Sequence, residues 1–307
     1  MTSITPAPEG CAIELRGVTR HYGAVRAVDG VDLQVRRGEM FGLIGHNGAG
    51  KSTLFRMMLG LVPATGGKLI VDGACVRSRA FRAARRHIGY LPENLALYDN
   101  LSGLETLRFF ARLKRADARD CQVLLERVGL AAAGKRPVRE YSKGMRQRLG
   151  FAQTLLGSPR VLFLDEPSNG LDPAAIRDFY AMLRALREQG VTIVMTSHIL
   201  AELQERVDRL AIMANGRVRA LGSVAQLREQ NDMPLTLALR VEPAMQPALR
   251  ERLAAMPGLG WQATGAEVEL CCPRAAKMTV LSMLAGHVQD LQIREPSLED
   301  LFFGLGG

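Results

Sequence analysis

The octapeptide Gly45-His46-Asn47-Gly48-Ala49-Gly50-Lys51-Ser52 fits G-x-x-x-x-G-K-[ST], and few other stretches constrain a chain so tightly. It follows the apolar run FGLIG (41–45) and precedes the helical pattern TLFRMMLGL. A strand, a glycine-rich loop and a helix in that order aim successive backbone N–H groups and a helix N-terminus at one point, where phosphates bind. In that geometry Lys51 reaches the β- and γ-phosphates and the Ser52 hydroxyl is a ligand for Mg²⁺. Residues Gly45, His46, Asn47, Gly48, Ala49, Gly50, Lys51, Ser52 and Thr53 are therefore expected to hold a nucleotide. His46 occupies a permissive position, where a solvent-facing spacer is expected rather than a metal-capturing group. The expected fold is α/β, of the P-loop NTPase class.

The rest of the chain repeats this alternation. KLIVDG (68–73), HIGYL (87–91), VLFLD (161–165), TIVMTS (192–197) and LAIMANG (210–216) read as strands. LETLRFFARLK (104–114) and AAIRDFYAMLRALREQG (174–190) read as helices. Continuous apolar runs separated by helical crossovers predict a largely parallel sheet over about 12–228. The stretch from about 95 to 145 is helix-rich without a clear strand and is expected to be a helical subdomain. From about 235 to 307 the rhythm changes. TLALRVE (236–242), a helix over 244–256, a hairpin WQATGAEVELCC (261–272) turning at Thr264-Gly265, a helix over 274–285 and a strand over 288–294 follow in turn. That order, βαββαβ, predicts a small α+β accessory or regulatory domain of split-βαβ type. Ser297 and Asp300 in the closing PSLEDLFFG offer a capping box for a last short helix.

Acidic residues and a histidine then appear at strand ends. VLFLDEP places Asp165 and Glu166 where a buried strand stops, and unpaired buried charge is expensive. Asp165 is expected to hold Mg²⁺ directly or through its water, and Glu166 to polarise an attacking water as general base. A strand-end pair that merely caps Pro167 is the plainer alternative. His198 closes TIVMTSH and is placed to hydrogen-bond a γ-phosphate; a lone histidine is otherwise more often structural. Tyr22 in HYGAV is either an adenine-stacking ring or an ordinary aromatic beside a turn glycine. The stretch YSKGMRQR (141–148) leaves two readings open: a phosphate grip with one glycine replaced by Lys143, or a basic helix start.

The bulk composition narrows the setting. At 307 residues there is length for two cores, and 47% hydrophobic with 23% charged residues is a globular balance, not a disordered one. No window approaches the roughly 20 apolar residues that span a bilayer, and the N-terminus shows no export signal. Five irregularly spaced cysteines suit reduced thiols in a cytoplasm. The net charge of +9 raises nucleic acid or an anionic membrane surface as partners. The arginines are dispersed, however, with short local groups such as Arg82, Arg85 and Arg86, and the aromatic-interleaved basic modules of nucleic-acid readers are missing, so no nucleic-acid partner is expected.

The phosphate loop, YSKGM, LDEPSNGLDP and His198 together resemble, in order and spacing, an ATPase subunit of an ABC transporter over residues 12 to about 228. The resemblance implies ATP and Mg²⁺ as ligands, and Glu166 and His198 as catalytic residues. It also implies Tyr22, Ser142 and Gly144 as nucleotide contacts beyond the loop. YSKGM matches the family's signature, and Asn169-Gly170-Leu171-Asp172 its D-loop, with Asp172 an expected helix N-cap and Pro173 the first helical residue. GYLPEN stands where the family has a glutamine loop, with Glu93 at the key position. A carboxylate there binds Mg²⁺ or its water but does not donate a hydrogen bond as an amide does. The metal set implied is thus Ser52, Asp165 and Glu93. A homodimer is implied, each nucleotide lying between one copy's phosphate loop and the other's YSKGM, together with a membrane-spanning permease docked near Glu93. The implied location is cytoplasmic, peripheral on the inner face of the membrane.

GHNGAGKST, GYLPEN, LSGLETLRFFARLK and YSKGMRQRLG also look like the ATPase of the copper-processing ABC transporter that matures nitrous oxide reductase. That narrower resemblance implies an extracytoplasmic partner in a copper pathway. PSLEDLF and the C-terminal domain occur widely in ABC-2-type exporter ATPases, whose cargo is a drug, lipid or polysaccharide, and this is the alternative. Cys271-Cys272 is the only soft-ligand pair, and neighbours in a strand point to opposite faces, so no copper is expected on this chain. A soluble ABC ATPase of translation or repair would carry a second cassette or a long coiled-coil insertion. A dead binding module would lack Glu166 or His198.

Overall fold

The computed structural model describes residues 10–199, 203–230, 234–254 and 256–294. Among them two compact units divide between Leu221 and Gly222.

The first unit opens with a long hairpin, β1 (Cys11–Tyr22) and β2 (Val25–Arg36), then β3 (Met40–Ile44) and helix α1 (Lys51–Met58). β4 (Gly66–Val71), β5 (Ala74–Cys75) and the single-turn α2 (Phe81–Ala84) lead to β6 (Ile88–Leu91). Helices α3 (Gly103–Lys114), α4 (Asp120–Arg127) and α5 (Lys143–Leu155) follow without an intervening strand. The unit closes with β7 (Val161–Asp165), α6 (Pro173–Glu188), β8 (Thr192–Ser197), β9 (Arg209–Ala214) and β10 (Arg217–Gly222).

Two sheets result. One, ordered β10-β9-β3-β8-β7-β6, pairs β3, β6, β7, β8 and β9 in parallel, as the continuous apolar runs predict. The other, β2-β1-β4-β5, is antiparallel. KLIVDG therefore does not join the parallel sheet: Leu69 pairs with Leu15 and Val71 with Ile13 in antiparallel register. A short apolar run reports that a strand is buried, not which strand it sits beside. In β2 the alternation is plain, Val31, Leu33 and Val35 inward against Asp32, Gln34 and Arg36 outward.

The apolar faces of the two sheets and α1 share one core. Phe55 of α1 meets Phe163 of β7 edge to face, ring centroids 5.3 Å apart. Removing such a ring costs about 3–5 kcal/mol, and here it would loosen the helix that carries Lys51. The helical stretch expected over 95–145 is helical, but its last helix runs on to Leu155, so its edge falls inside α5. Ser102 and Glu105 start α3 with a reciprocal capping box.

The second unit contains β11 (Leu235–Arg240), a helix Gln246–Ala254, the hairpin β12 (Gly260–Thr264) and β13 (Glu267–Cys272), a helix Lys277–Leu284 and β14 (Asp290–Arg294). Its sheet is antiparallel, ordered β12-β13-β11-β14, which is the split-βαβ arrangement. The hairpin turns after Thr264, through Gly265 at φ 63°. Leu235, Leu237, Leu239, Val268, Leu270 and Cys272 form its core with Leu249, Leu253, Val280 and Leu284. Cys272 is buried and Cys271 lies on the opposite face. The capping pair Ser297 and Asp300 lies outside the described residues. No helix among those described is long and apolar enough to cross a membrane.

Candidate functional site

β3 ends at Ile44 and the chain turns through Gly45–Gly50 into α1. Two glycines are required by shape. A side chain at Gly45 would strike the Met213 carbonyl, and Gly50, at φ 101°, lies against the Ala27 carbonyl. The loop is braced from outside, since Gly216 N–H donates to Ala49 O (3.0 Å) and Asp29 N–H to Gly216 O (2.9 Å). Beside it lies a cleft of about 530 Å³, lined by His46 to Thr53, Ala24 to Ala27, Asn215 and Gly216. Ser52 is exposed there, while Lys51 is 7% exposed.

Lys51 turns its ammonium back over the loop, donating to the carbonyls of Gly45 and, at 3.1 Å, of His46. Burial lowers its pKa, and the charges of Glu166, Asp165 and Glu93 oppose that shift. Those three carboxylates come from the C-terminal end of β7 and the loop after β6.

The Asp165 carboxylate and the Glu166 backbone are held by a residue that sequence reasoning did not single out. Thr196 Oγ1 donates to Asp165 Oδ1 (2.6 Å) and accepts from Glu166 N–H (3.0 Å), all three groups buried. One hydroxyl thus fixes both acids at the junction of β7 and β8. Glu166 itself has φ 49°, a conformation rare for a side chain of this size. Its Oε2 lies 2.9 Å from Nδ1 of His198, whose side chain is 47% exposed. Burial raises the Glu166 pKa, and the hydrogen bond with His198 partly reverses the shift. A threonine near the C-terminal end of a buried strand, two residues before a histidine, was the available signal.

The remaining expected residues stand elsewhere. Tyr22 is exposed at the end of β1 with the Arg20 guanidinium 4.3 Å above its ring, and the cleft wall begins two residues later at Ala24. Ser142 caps α5, its Oγ accepting from Met145 N–H (3.2 Å), and Gly144 sits in the first helical turn. Neither lines the cleft. Lys143 is exposed, and the far end of its side chain lies over Gly170. Gln147 donates to Pro167 O (3.0 Å), so α5 rests on the loop that leaves Glu166. Asp172 caps α6 through Ala174 N–H and Ala175 N–H, with Pro173 as its first residue.

A model of the ABC transporter family matches residues 28–169. Over 301 residues the chain is 35% identical to the uncharacterized ABC transporter ATP-binding protein YhcH of Bacillus subtilis, with 96% of each chain covered. The chain belongs to the ABC transporter ATP-binding proteins. It is equally similar, at 35% over 309 residues and 96% of each chain, to the daunorubicin resistance ATP-binding protein DrrA3 of Streptomyces coeruleorubidus. Among solved structures, an ATP-binding subunit of an ABC transporter superposes with a TM-score of 0.66 at 32% identity. That match covers 72% of this chain and 93% of the other. The protein is an ABC-type ATPase, and ATP is its nucleotide. The Asn215-Gly216 wall of the cleft was hidden in LAIMANG, although Asn-Gly between apolar runs is a hairpin signal.

Proposed function

We propose that this chain energises a membrane permease by hydrolysing ATP at sites shared between two copies of itself. The observation that carries the proposal is the Glu166–His198 contact at 2.9 Å, held at two strand ends around the lysine of the phosphate loop. In the proposed reaction the loop N–H groups and Lys51 hold the β- and γ-phosphates. Glu166 takes a proton from water as the water oxygen bonds to the γ-phosphorus and the bond to the β-bridging oxygen breaks. With Glu166 ionised, Nδ1–H of His198 donates their hydrogen bond, and the imidazole would orient Glu166 beside the γ-phosphate.

The donor set suits Mg²⁺. The Ser52 hydroxyl and the carboxylates of Asp165 and Glu93 are hard oxygen ligands, too few to complete an octahedron without water and phosphate oxygens. Thr196 occupies one Asp165 oxygen and leaves the other for this role. Mg²⁺, when bound, neutralises charge on the β- and γ-phosphates. Tyr22 would stack on adenine at the mouth of the cleft.

Ser142 and Gly144 are assigned to the nucleotide of a second copy. Binding ATP would then close the dimer, and hydrolysis would remove the bridging γ-phosphate, a shift of a two-state equilibrium by differential affinity. The permease would dock near Glu93 and the helices over 95–145, with the ATPase peripheral on the cytoplasmic face. For cargo, the daunorubicin resistance relative supports an ABC-2-type exporter of a drug, lipid or polysaccharide better than the copper pathway of nitrous oxide reductase. A neighbouring nitrous oxide reductase gene cluster would reverse that preference. The functional test is Glu166→Gln: ATP binding should persist and trap a dimer while turnover is nearly abolished. Undiminished multiple turnover would remove Glu166 as the base.

A further inference from the structure

The segment after β5 carries five arginines in ten residues, Arg77 to Arg86. Arg77, Arg79, Arg82, Arg85 and Arg86 are all exposed, and none is ion-paired to a carboxylate among the described residues. No Asp or Glu occurs between Asp72 and Glu93. The segment is nonetheless anchored. Phe81 is 3% exposed within the core of the first unit, Ser78 N–H closes a turn on Cys75 O (2.8 Å), and Arg85 lies 5.8 Å from the Phe81 ring. Five cations are thus displayed by a fixed turn, the single-turn α2 and the short helix Arg85–His87.

We propose that this arginine face contacts the anionic lipid headgroups of a membrane, an inference that rests on the proposed service to a membrane permease. The residues exposed between the arginines are Ser78, Ala80 and Ala83, so no large apolar side chain stands among them, although an apolar cleft of about 430 Å³ lies beside Arg77. Phe81, the aromatic at the centre of the arginines, is buried, which leaves no platform there for stacking bases. Unanchored, unneutralised arginine suits a surface of many fixed phosphates, to which guanidinium groups bind with charge-assisted hydrogen bonds. The attraction acts over about a Debye length and weakens with salt.

The test uses the full chain and sedimentation with vesicles of phosphatidylglycerol and phosphatidylcholine in equal parts, against pure phosphatidylcholine. Binding should require phosphatidylglycerol and fall with added salt. Neutralising Arg82, Arg85 and Arg86 to Gln should weaken it about fivefold per arginine, with ATPase in solution unchanged. A control with exposed Arg177, Arg184 and Arg250 changed to Gln carries the same net charge and should bind as the parent does. Equal loss in the control would mean that net charge, not this face, is responsible, and would overturn the proposal. So would undiminished binding of the patch variant, or its loss of permease binding with vesicle binding intact, which would assign the face to a protein partner. The Glu166→Gln assay needs no membrane, so failure here is distinguishable from failure of the functional proposal.

Discussion

At the ends of β7 and β8 Asp165, Glu166, Thr196 and His198 are joined in one hydrogen-bonded series, whereas the start of α5 makes no contact with them among the hydrogen bonds described. Thr196 holds Asp165 and Glu166, and Glu166 holds His198, in one buried-to-exposed series. Ser142 instead satisfies only its own helix, by accepting from Met145 N–H. The amides of Lys143 and Gly144 lie in the first turn, where no intrahelical carbonyl reaches them. The strand-end group is held in place by its own hydrogen bonds, and the helix start leaves two amides for the proposed contact with a second copy's nucleotide. In the proposed dimer the helix start of one copy would complete the strand-end group of the other.

The largest effect expected from breaking this contrast is at Glu166. Glu166→Gln should lower kcat by about 10²–10⁴-fold with little change in ATP affinity, read by steady-state turnover and nucleotide binding. Its stability should move the other way. The folded-state pKa of Glu166 is raised by burial, so its favourable contribution is complete below the unfolded value and lost as pH rises through the folded one. At neutral pH the buried charge therefore destabilises, and the Gln variant should melt higher. An unchanged or lower Tm at neutral pH would contradict the cost of burial assigned to it.

Thr196→Val tests the series at its hub. Leaving the Asp165 oxygen and the Glu166 amide without their hydroxyl should cost about 1–3 kcal/mol of stability, measured by denaturant unfolding, and should reduce kcat more than it raises KM. Ser142→Ala should cost only about 1 kcal/mol, the usual loss of a helix cap. If it destabilises as much as Thr196→Val, the helix start is not the loosely held region described. The smallest effect is in the pH profile. Turnover should decline on acidification at a pH above the ordinary glutamate range, since Glu166 must be ionised to accept a proton. A profile flat through that range would set another group as the base.

These contrasts were unequally legible in the sequence. The phosphate loop, Asp165, Glu166 and His198 are adjacent to strand ends in the chain itself, so local pattern is enough to nominate them. Thr196 was read only as part of a strand, because its partners sit about thirty positions earlier and meet it through β7–β8 pairing. The same limit misplaced KLIVDG, whose apolar run is satisfied equally by either sheet. β1 also escaped notice, since its register shifts between Leu15 and Val18 and between Val18 and Arg20 break the alternation that marks a strand. The far end of the Lys143 side chain over Gly170 joins two segments that no spacing rule connects.

The most direct measurement mixes two inactive variants, Lys51→Ala and Gly144→Asp. A side chain at Gly144 meets nothing nearer than Leu171 at 3.8 Å, so the aspartate is expected to be tolerated by the fold and to repel a phosphate. If each ATP lies between one copy's Lys51 and the other copy's Gly144, mixed dimers contain one intact site. The mixture should then show ATPase activity that neither variant shows alone. Activity that stays at the sum of the separate variants would contradict shared sites.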